Sequence, residues 1–162
     1  MDVQRPAGLS PAEALRSRGL RATRPRVAVL EALADLGPHR SAEEVRARIA
    51  EGPDPLPRSS VYGVLEALVG AGLVMTADAG PGRMLYELAS RWHHHFVCRI
   101  CGRVTDVECA GDGKPCLSPV GDVGSVDEAQ VIFRGICTSC ASAARAQSDP
   151  GQLRRGEGRR RV

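Results

Sequence analysis

A chain of 162 residues that is 43% apolar is long enough for a sizeable core, or for two small domains sharing a junction, and its composition is not that of a disordered protein. The formal net charge of +3 is uneven: from Arg154 onward five arginines face one glutamate, a net +4 that leaves the rest of the chain at −1. No apolar run approaches the ~20 residues that cross a bilayer, and the N-terminus lacks the pattern of a signal peptide, so a cytoplasmic protein with no membrane partner is expected, its six cysteines present as thiols or metal ligands.

Ser10-Pro11-Ala12-Glu13 reads as a capping box with proline at the first helical position, opening a short helix that Gly19 closes. Arg16, Arg18, Arg21, Arg24 and Arg26 follow with no acidic residue among them, a cluster suited to phosphate contact or to a solvated helix face. A second helix is predicted from about Thr23 through Val27, Leu30, Leu33 and Leu36 to Gly37-Pro38. Ser41-Ala42-Glu43-Glu44 is a further capping box and opens a third helix. Ser59 or Ser60 is expected to cap a fourth, whose Val61, Val64, Leu65, Leu68 and Val69 recur at helical spacing up to Gly70 and Gly72. Leu73-Val74-Met75 and Met84 to Leu88, around the turn Ala79-Gly80-Pro81-Gly82, predict a hairpin. Helices followed by a hairpin make the pattern of a winged helix-turn-helix over residues 1–90, a pattern that small helical bundles share.

From about Trp92 the character changes. Phe96-Val97, Val104 to Val107 and Val131 to Phe133 are strand candidates in a second unit over 91–145, residues 110–125 an irregular loop, and 146–162 a basic disordered tail. The predicted class is α+β: a winged helix followed by a small α/β unit.

Cys98-Arg99-Ile100-Cys101 and Cys137-Thr138-Ser139-Cys140 form two CxxC knuckles, with Gly102 placed for the tight turn after the first. Two such knuckles can set four thiolates around a structural zinc ion, a closed shell with no position for substrate. Buried thiols or a redox pair leave the matched spacing unexplained. Closure would tie the ends of the second unit together and contribute to its folding. Cys109 and Cys116 fall in the glycine-rich loop and can be inert thiols, a redox pair or further ligands. His93-His94-His95 precedes the first knuckle on an extended segment, so alternation sends His93 and His95 to one face and His94 to the other. With Glu87 and Asp106 as candidate carboxylates, such a pair suits a divalent ion such as iron(II), manganese(II) or zinc(II), while a solvated histidine tract is the alternative.

Taken together, Gly19-Leu20-Arg21-Ala22-Thr23-Arg24-Pro25-Arg26, His39-Arg40-Ser41-Ala42-Glu43-Glu44-Val45, Ser60-Val61-Tyr62, Ala71-Gly72-Leu73-Val74 and His93 through Gly102 resemble the Fur (ferric uptake regulator) family, over about residues 9 to 144. The resemblance implies a DNA-binding winged helix and a C-terminal unit that forms a homodimer on palindromic, A·T-rich double-stranded DNA. It implies Cys98, Cys101, Cys137 and Cys140 as ligands of structural zinc. It also implies a regulatory site of His39, Glu87, His93, His95 and Asp106 for iron(II) or manganese(II), adding a residue, His39, that spacing does not single out. Arg21, Arg58, Ser60 and Tyr62 become the expected DNA contacts. In the family, aspartate at the position of Asp106 goes with peroxide sensing and glutamate with iron sensing. The expected function is therefore a repressor of oxidative-stress, catalase-type genes, with His39 and His93 as candidates for oxidation. The segment from Glu108-Cys109 to Cys116-Leu117 is similar to an actinobacterial branch associated with catalase-peroxidase control.

The departures from the pattern are specific. Gly63 follows Tyr62 where the family commonly has arginine, which removes a DNA contact and weakens the helix by roughly 1 kcal/mol. Trp92, His94 and Ala129 stand where many members place ligands of a secondary metal site, so none is expected. The loop of 110–125 stands where the family has a helix, leaving strand pairing to form the dimer. Two alternatives compete: an iron- or zinc-homeostasis repressor of the same family, and a zinc hydrolase or thiol oxidoreductase using His93, His95 and Glu87. The second lacks an HExxH motif or an equivalent general base, so no enzymatic activity is expected.

Overall fold

The computed structural model describes residues 8–89, 93–108 and 131–148. Its first helix, α1 (Pro11–Ser17), opens on the expected capping box: Ser10 Oγ accepts the Glu13 N–H, and Glu13 accepts the Ser10 N–H at 2.8 Å. α2 (Arg24–Leu36) begins after Thr23 and stops at Gly37, whose φ of 80° reverses the chain. α3 (Ala42–Ala50) repeats the capping box through Ser41 and Glu44.

α4 (Arg58–Gly70) corrects one expectation. Neither Ser59 nor Ser60 caps it; both lie inside its first turn, and the N-cap is Pro57 with no side-chain cap bond. The Pro57 carbonyl accepts the N–H groups of Ser60 and Val61 at 3.0 and 3.2 Å, so a proline with pre-set φ starts the helix ahead of the serines.

Leu15, Val29, Val45, Val61, Leu65 and Leu68 have no solvent exposure and form the centre of the helical core. Each such side chain contributes roughly 1.5–3 kcal/mol over its exposed state. Leu73 and Val74 join this core and lead into the hairpin of β1 (Val74–Asp78) and β2 (Met84–Leu88), paired antiparallel from Val74↔Leu88 to Asp78↔Met84.

β3 (His94–Cys98), β4 (Val104–Val107) and β5 (Ile132–Gly135) form a second sheet in the order β4-β3-β5, antiparallel on one side and parallel on the other. α5 (Thr138–Ser148) follows and is absent from the sequence expectation; residues 146–148, assigned to the disordered tail, continue it. Ala141, Ala143, Ala144 and Ala146 favour helix intrinsically, but with no large apolar residue among them they leave no amphipathic period to read. The loop of 110–125, Trp92, Ala129 and the tail beyond Ser148 lie outside the described residues.

Candidate metal centres and DNA-facing residues

Parallel pairing brings the two knuckles together. Cys98 closes β3 opposite Gly135 of β5, and the Arg99 N–H donates to the Gly135 carbonyl at 2.8 Å, so Cys137 emerges beside Cys98. Gly102, at φ 70°, makes the turn after Cys101. The four sulfurs of Cys98, Cys101, Cys137 and Cys140 lie within 4.8 Å of one another, and the Cys101 and Cys137 sulfurs are 3.9 Å apart. A tetrahedron with Zn–S bonds of ~2.3 Å has edges of ~3.8 Å. The backbone N–H groups of Cys101 and Cys137 point at the Cys98 sulfur and pull its pKa down to about 6. The sulfurs of Cys137 and Cys101 push Cys140 up to about 12. Thiolates this crowded oppose one another's ionisation unless a cation sits among them, and an all-sulfur, closed donor set fits zinc.

The second centre gathers residues from both halves of the chain. His93 and His95 share one face of the segment entering β3, as alternation predicts; His94 turns the other way, its ring 6.3 Å from Phe133. Asp106 is the cross-strand partner of His95 in the β3–β4 pairing, which sets both side chains on the same face. Glu87 comes from β2 and is buried.

His39 is delivered by a device that sequence spacing does not reveal. Arg40 pairs with Tyr86 in an isolated bridge, with N–H to O distances of 2.9 Å and 2.7 Å, which staples the loop after α2 to β2 one residue before Glu87. His39 itself sits at φ 59°, a left-handed conformation uncommon for a residue with a side chain and characteristic of functional positions.

The ligand atoms of all five residues lie within 4.8 Å of one another. Nε2 of His93 is 2.8 Å from Glu87 Oε1 and 3.1 Å from Nε2 of His95, while Nε2 of His39 is 2.8 Å from Asp106 Oδ1 and 3.3 Å from Glu87 Oε2. Separations of ~3.0–3.4 Å are the edges of an octahedron or tetrahedron with bonds of ~2.1 Å. Despite its short distance to Asp106, the buried His39 Nε2 has no partner in hydrogen-bonding geometry among the described residues, so the contact is one of ligands converging on a shared point. Burial raises the Glu87 pKa, but hydrogen bonds from His93 and His95 outweigh it and bring the carboxyl down to about 2. The donor set of three imidazoles and two carboxylates therefore presents a ready anion and fits a divalent transition metal.

Of the expected DNA contacts, Arg21 is exposed ahead of α2, Arg58 is exposed as the first residue of α4, and Ser60 is half-buried in its first turn. Tyr62 is 40% exposed on α4 and is no core residue. The Arg58 guanidinium lies 5.4 Å from the centre of the Tyr62 ring, and its Nε forms an ion pair with Glu43 Oε1 at 2.8 Å. Glu43 was not singled out from the sequence as a partner of this surface; as a first-turn residue of α3 it looks like part of a helix start and nothing more. Cys109 and Cys116 lie outside the described residues.

A winged helix joined to a small sheet, with two clusters of metal-ligating side chains, one of them spanning both parts, defines a metal-responsive transcription regulator. Comparison with known proteins identifies which kind. The sequence profile of the Ferric uptake regulator family matches residues 17–111, and the chain belongs to that family. The Transcriptional regulator FurA of Mycobacterium tuberculosis is 41% identical over 141 residues, 86% of this chain and 95% of the relative. Ferric uptake regulation protein 1 of Mycolicibacterium fortuitum is 43% identical over 129 residues, 78% of this chain and 79% of the relative. The crystal structure of the Vibrio cholerae ferric uptake regulator matches 78% of this chain and 98% of its own at 26% identity with a TM-score of 0.58. The Pseudomonas aeruginosa regulator, solved with manganese, shares the fold over 80% of this chain and 99% of its own, with a TM-score of 0.63 at 24% identity. The chain is a transcriptional regulator of this family and not an enzyme. Its likeness to mycobacterial relatives agrees with the actinobacterial branch.

Proposed function

We propose that this chain is a metal-dependent repressor that acts as a homodimer on palindromic, A·T-rich DNA and releases it when peroxide oxidises the regulatory site. The observation that carries the reading is the convergence of His39, from the helical head, with Glu87, His93, His95 and Asp106 from the hairpin and the second sheet. Cys98, Cys101, Cys137 and Cys140 would hold zinc as a structural ion. Iron(II) or manganese(II) would be held by the five-residue site, and bound iron(II) would make hydrogen peroxide reactive beside the imidazoles, the two electrons of the net oxidation coming from the imidazole ring.

The chain's own residues do the rest. His39 is the ligand that belongs to the head, so its engagement selects one orientation of the head relative to the second sheet. A symmetric dimer needs that orientation to fit two half-sites in successive major grooves. Strand β5 supports the dimer: among the described residues it is an edge strand carrying Phe133, which is exposed, and Ile136 follows it exposed as well. Arg21, Arg58, Ser60 and Tyr62 would contact the DNA. Among the described residues no helix is long and apolar enough to cross a membrane, and a regulator of transcription works in the cytoplasm.

The peroxide signal rests on Asp106, a short carboxylate in the ligand set. One oxygen atom of peroxide would end on the imidazole of His39 or His93 and the other leave as water, with loss of the head's anchor. Solved relatives include a zinc-bound manganese uptake regulator and a zinc uptake regulator complexed with zinc and DNA, so a response to metal level alone is the competing reading.

A gel shift on a palindromic A·T-rich operator, with iron-loaded, manganese-loaded and peroxide-treated protein, separates them. The expected result is loss of binding only for the iron-loaded, peroxide-treated sample, with one added oxygen on the peptide holding His39 or His93 by mass spectrometry. Retained binding with unmodified histidines would instead establish the metal-homeostasis reading.

A further inference from the structure

The hairpin tip makes contacts that the regulatory site does not use. Its base, through Leu73, Val74, Tyr86 and Leu88, packs in the helical core, but Ala77, Ala79 and Leu85 form a separate buried cluster against Val104 of β4. Two arginines reach across the same junction in opposite directions. Arg83, at the start of the return strand, donates from Nη1 to the carbonyl of Gly102 at 2.9 Å, on the turn next to Cys101. Arg134 of β5 donates from Nη2 to the carbonyl of Asp78 at 3.0 Å, with the Asp78 carboxylate 3.6 Å away. The Asp78 side chain is itself held, its Oδ1 accepting the Gly80 N–H at 2.8 Å. Gly102 is suited to this approach, since a Cβ there would lie 2.8 Å from the Arg83 guanidinium.

We infer that Arg83 and Arg134 form a reciprocal clasp between the hairpin tip and the cysteine-knuckle sheet, a second connection between the two halves that is independent of His39. Each arginine ends on a backbone carbonyl of the opposite half, so the clasp reads the position of the chain and not the identity of a side chain. The planar guanidinium holds its donors in fixed directions. The hairpin is thereby a strut, anchored at its base in the head and at its tip on the knuckle. The orientation of the head is partly preset before the regulatory site is engaged, and the state of the knuckle is transmitted to the wing. Arg83 and Arg134 are positioning residues in this scheme; neither touches the ligand clusters.

The inference rests on the proposed repressor function for its consequence on DNA, but its structural core can be tested without DNA. Hydrogen exchange of the full-length, zinc-loaded protein, read by mass spectrometry, would compare wild type with Arg83→Ala, Arg134→Ala and the double variant. Arg99→Ala, an exposed arginine on the same knuckle, serves as control. Exchange of residues 74–88 is expected to rise about tenfold in the double variant, the scale of one or two such hydrogen bonds, and to stay unchanged in the control. Unchanged exchange of α2 and α4 would establish that the variants are folded. In operator binding, the manganese concentration for half-maximal binding should rise several-fold in the double variant. Wild-type exchange across 74–88 in the folded double variant would overturn the clasp, and this holds even if no metal supports operator binding, the result that would sink the repressor reading.

Discussion

At the scale of single residues, the proposed regulatory centre includes one side chain that the sequence hid well. His93, His95, Glu87 and Asp106 can be nominated from the histidine tract, strand alternation and nearby carboxylates. His39 cannot, because its approach depends on the Arg40–Tyr86 bridge, a contact between a loop and a strand far apart in sequence. Only family resemblance pointed to it. Its left-handed backbone allows a clean experiment. In protein that keeps its zinc but carries no regulatory metal, His39→Gly should be more stable than His39→Ala by about 1 kcal/mol, because alanine retains the steric cost at φ 59° and glycine does not. Both variants should lose metal-dependent operator binding alike. Denaturant melts paired with gel shifts check this, and equal stability of the two variants would mean that the backbone is unstrained there. Asp106→Glu is the companion test of the signal: metal-dependent binding should persist while oxidation of the His39 and His93 peptides by peroxide falls.

At the scale of elements, most of the helical head was legible because its boundaries are written in local chemistry. The capping boxes at Ser10 and Ser41 and the stop at Gly37 act within a few residues, so pattern and structure coincide for α1, α2 and α3. The start of α4 was misplaced because a proline begins it without a side-chain signature, and α5 was missed because alanine-rich helix carries no amphipathic stripe. The α3 cap has a pH signature. Burial opposes ionisation of Glu44, but bonds from Ser41 and Arg40 prevail and depress its pKa below 4.5. A depressed carboxylate contributes stability above its unfolded pKa and loses it as pH falls through the folded value. Ser41→Ala should therefore cost about 1 kcal/mol at neutral pH, and the difference from wild type should shrink as pH falls below 4.5. Denaturation midpoints across pH measure this, and a penalty constant with pH would mean that Glu44 is not part of the cap's energetics. Since Ser41 follows His39 and Arg40 directly, the same variant should also weaken metal-dependent binding.

At the scale of the molecule, the two halves are unequal in what holds them together. The head has a core of fully buried aliphatic side chains, whereas the second sheet is built from strands of five, four and four residues. Its buried apolar residues among those described are Val97 and Cys98 on β3, too few to order three strands and a helix unaided. With zinc bound as proposed, the knuckles would supply the remaining constraint by joining the end of β3 to the start of α5. Apparent free energies for structural zinc in small domains are roughly 10–16 kcal/mol, large compared with what this sheet can bury. Removing zinc with a strong chelator, or replacing Cys101 with serine, should therefore destabilise the second half so that it melts well below the head. Calorimetry is expected to show two separated transitions in place of one, and hydrogen exchange to show loss of protection in β3, β4 and β5 with α2 and α4 unaffected. The hairpin should loosen with the sheet, because its tip rests on Val104 and on the carbonyl of Gly102. A single transition at unchanged temperature after complete zinc removal would mean that the sheet is held by contacts other than the four thiols, and that the knuckle is not the keystone of this half.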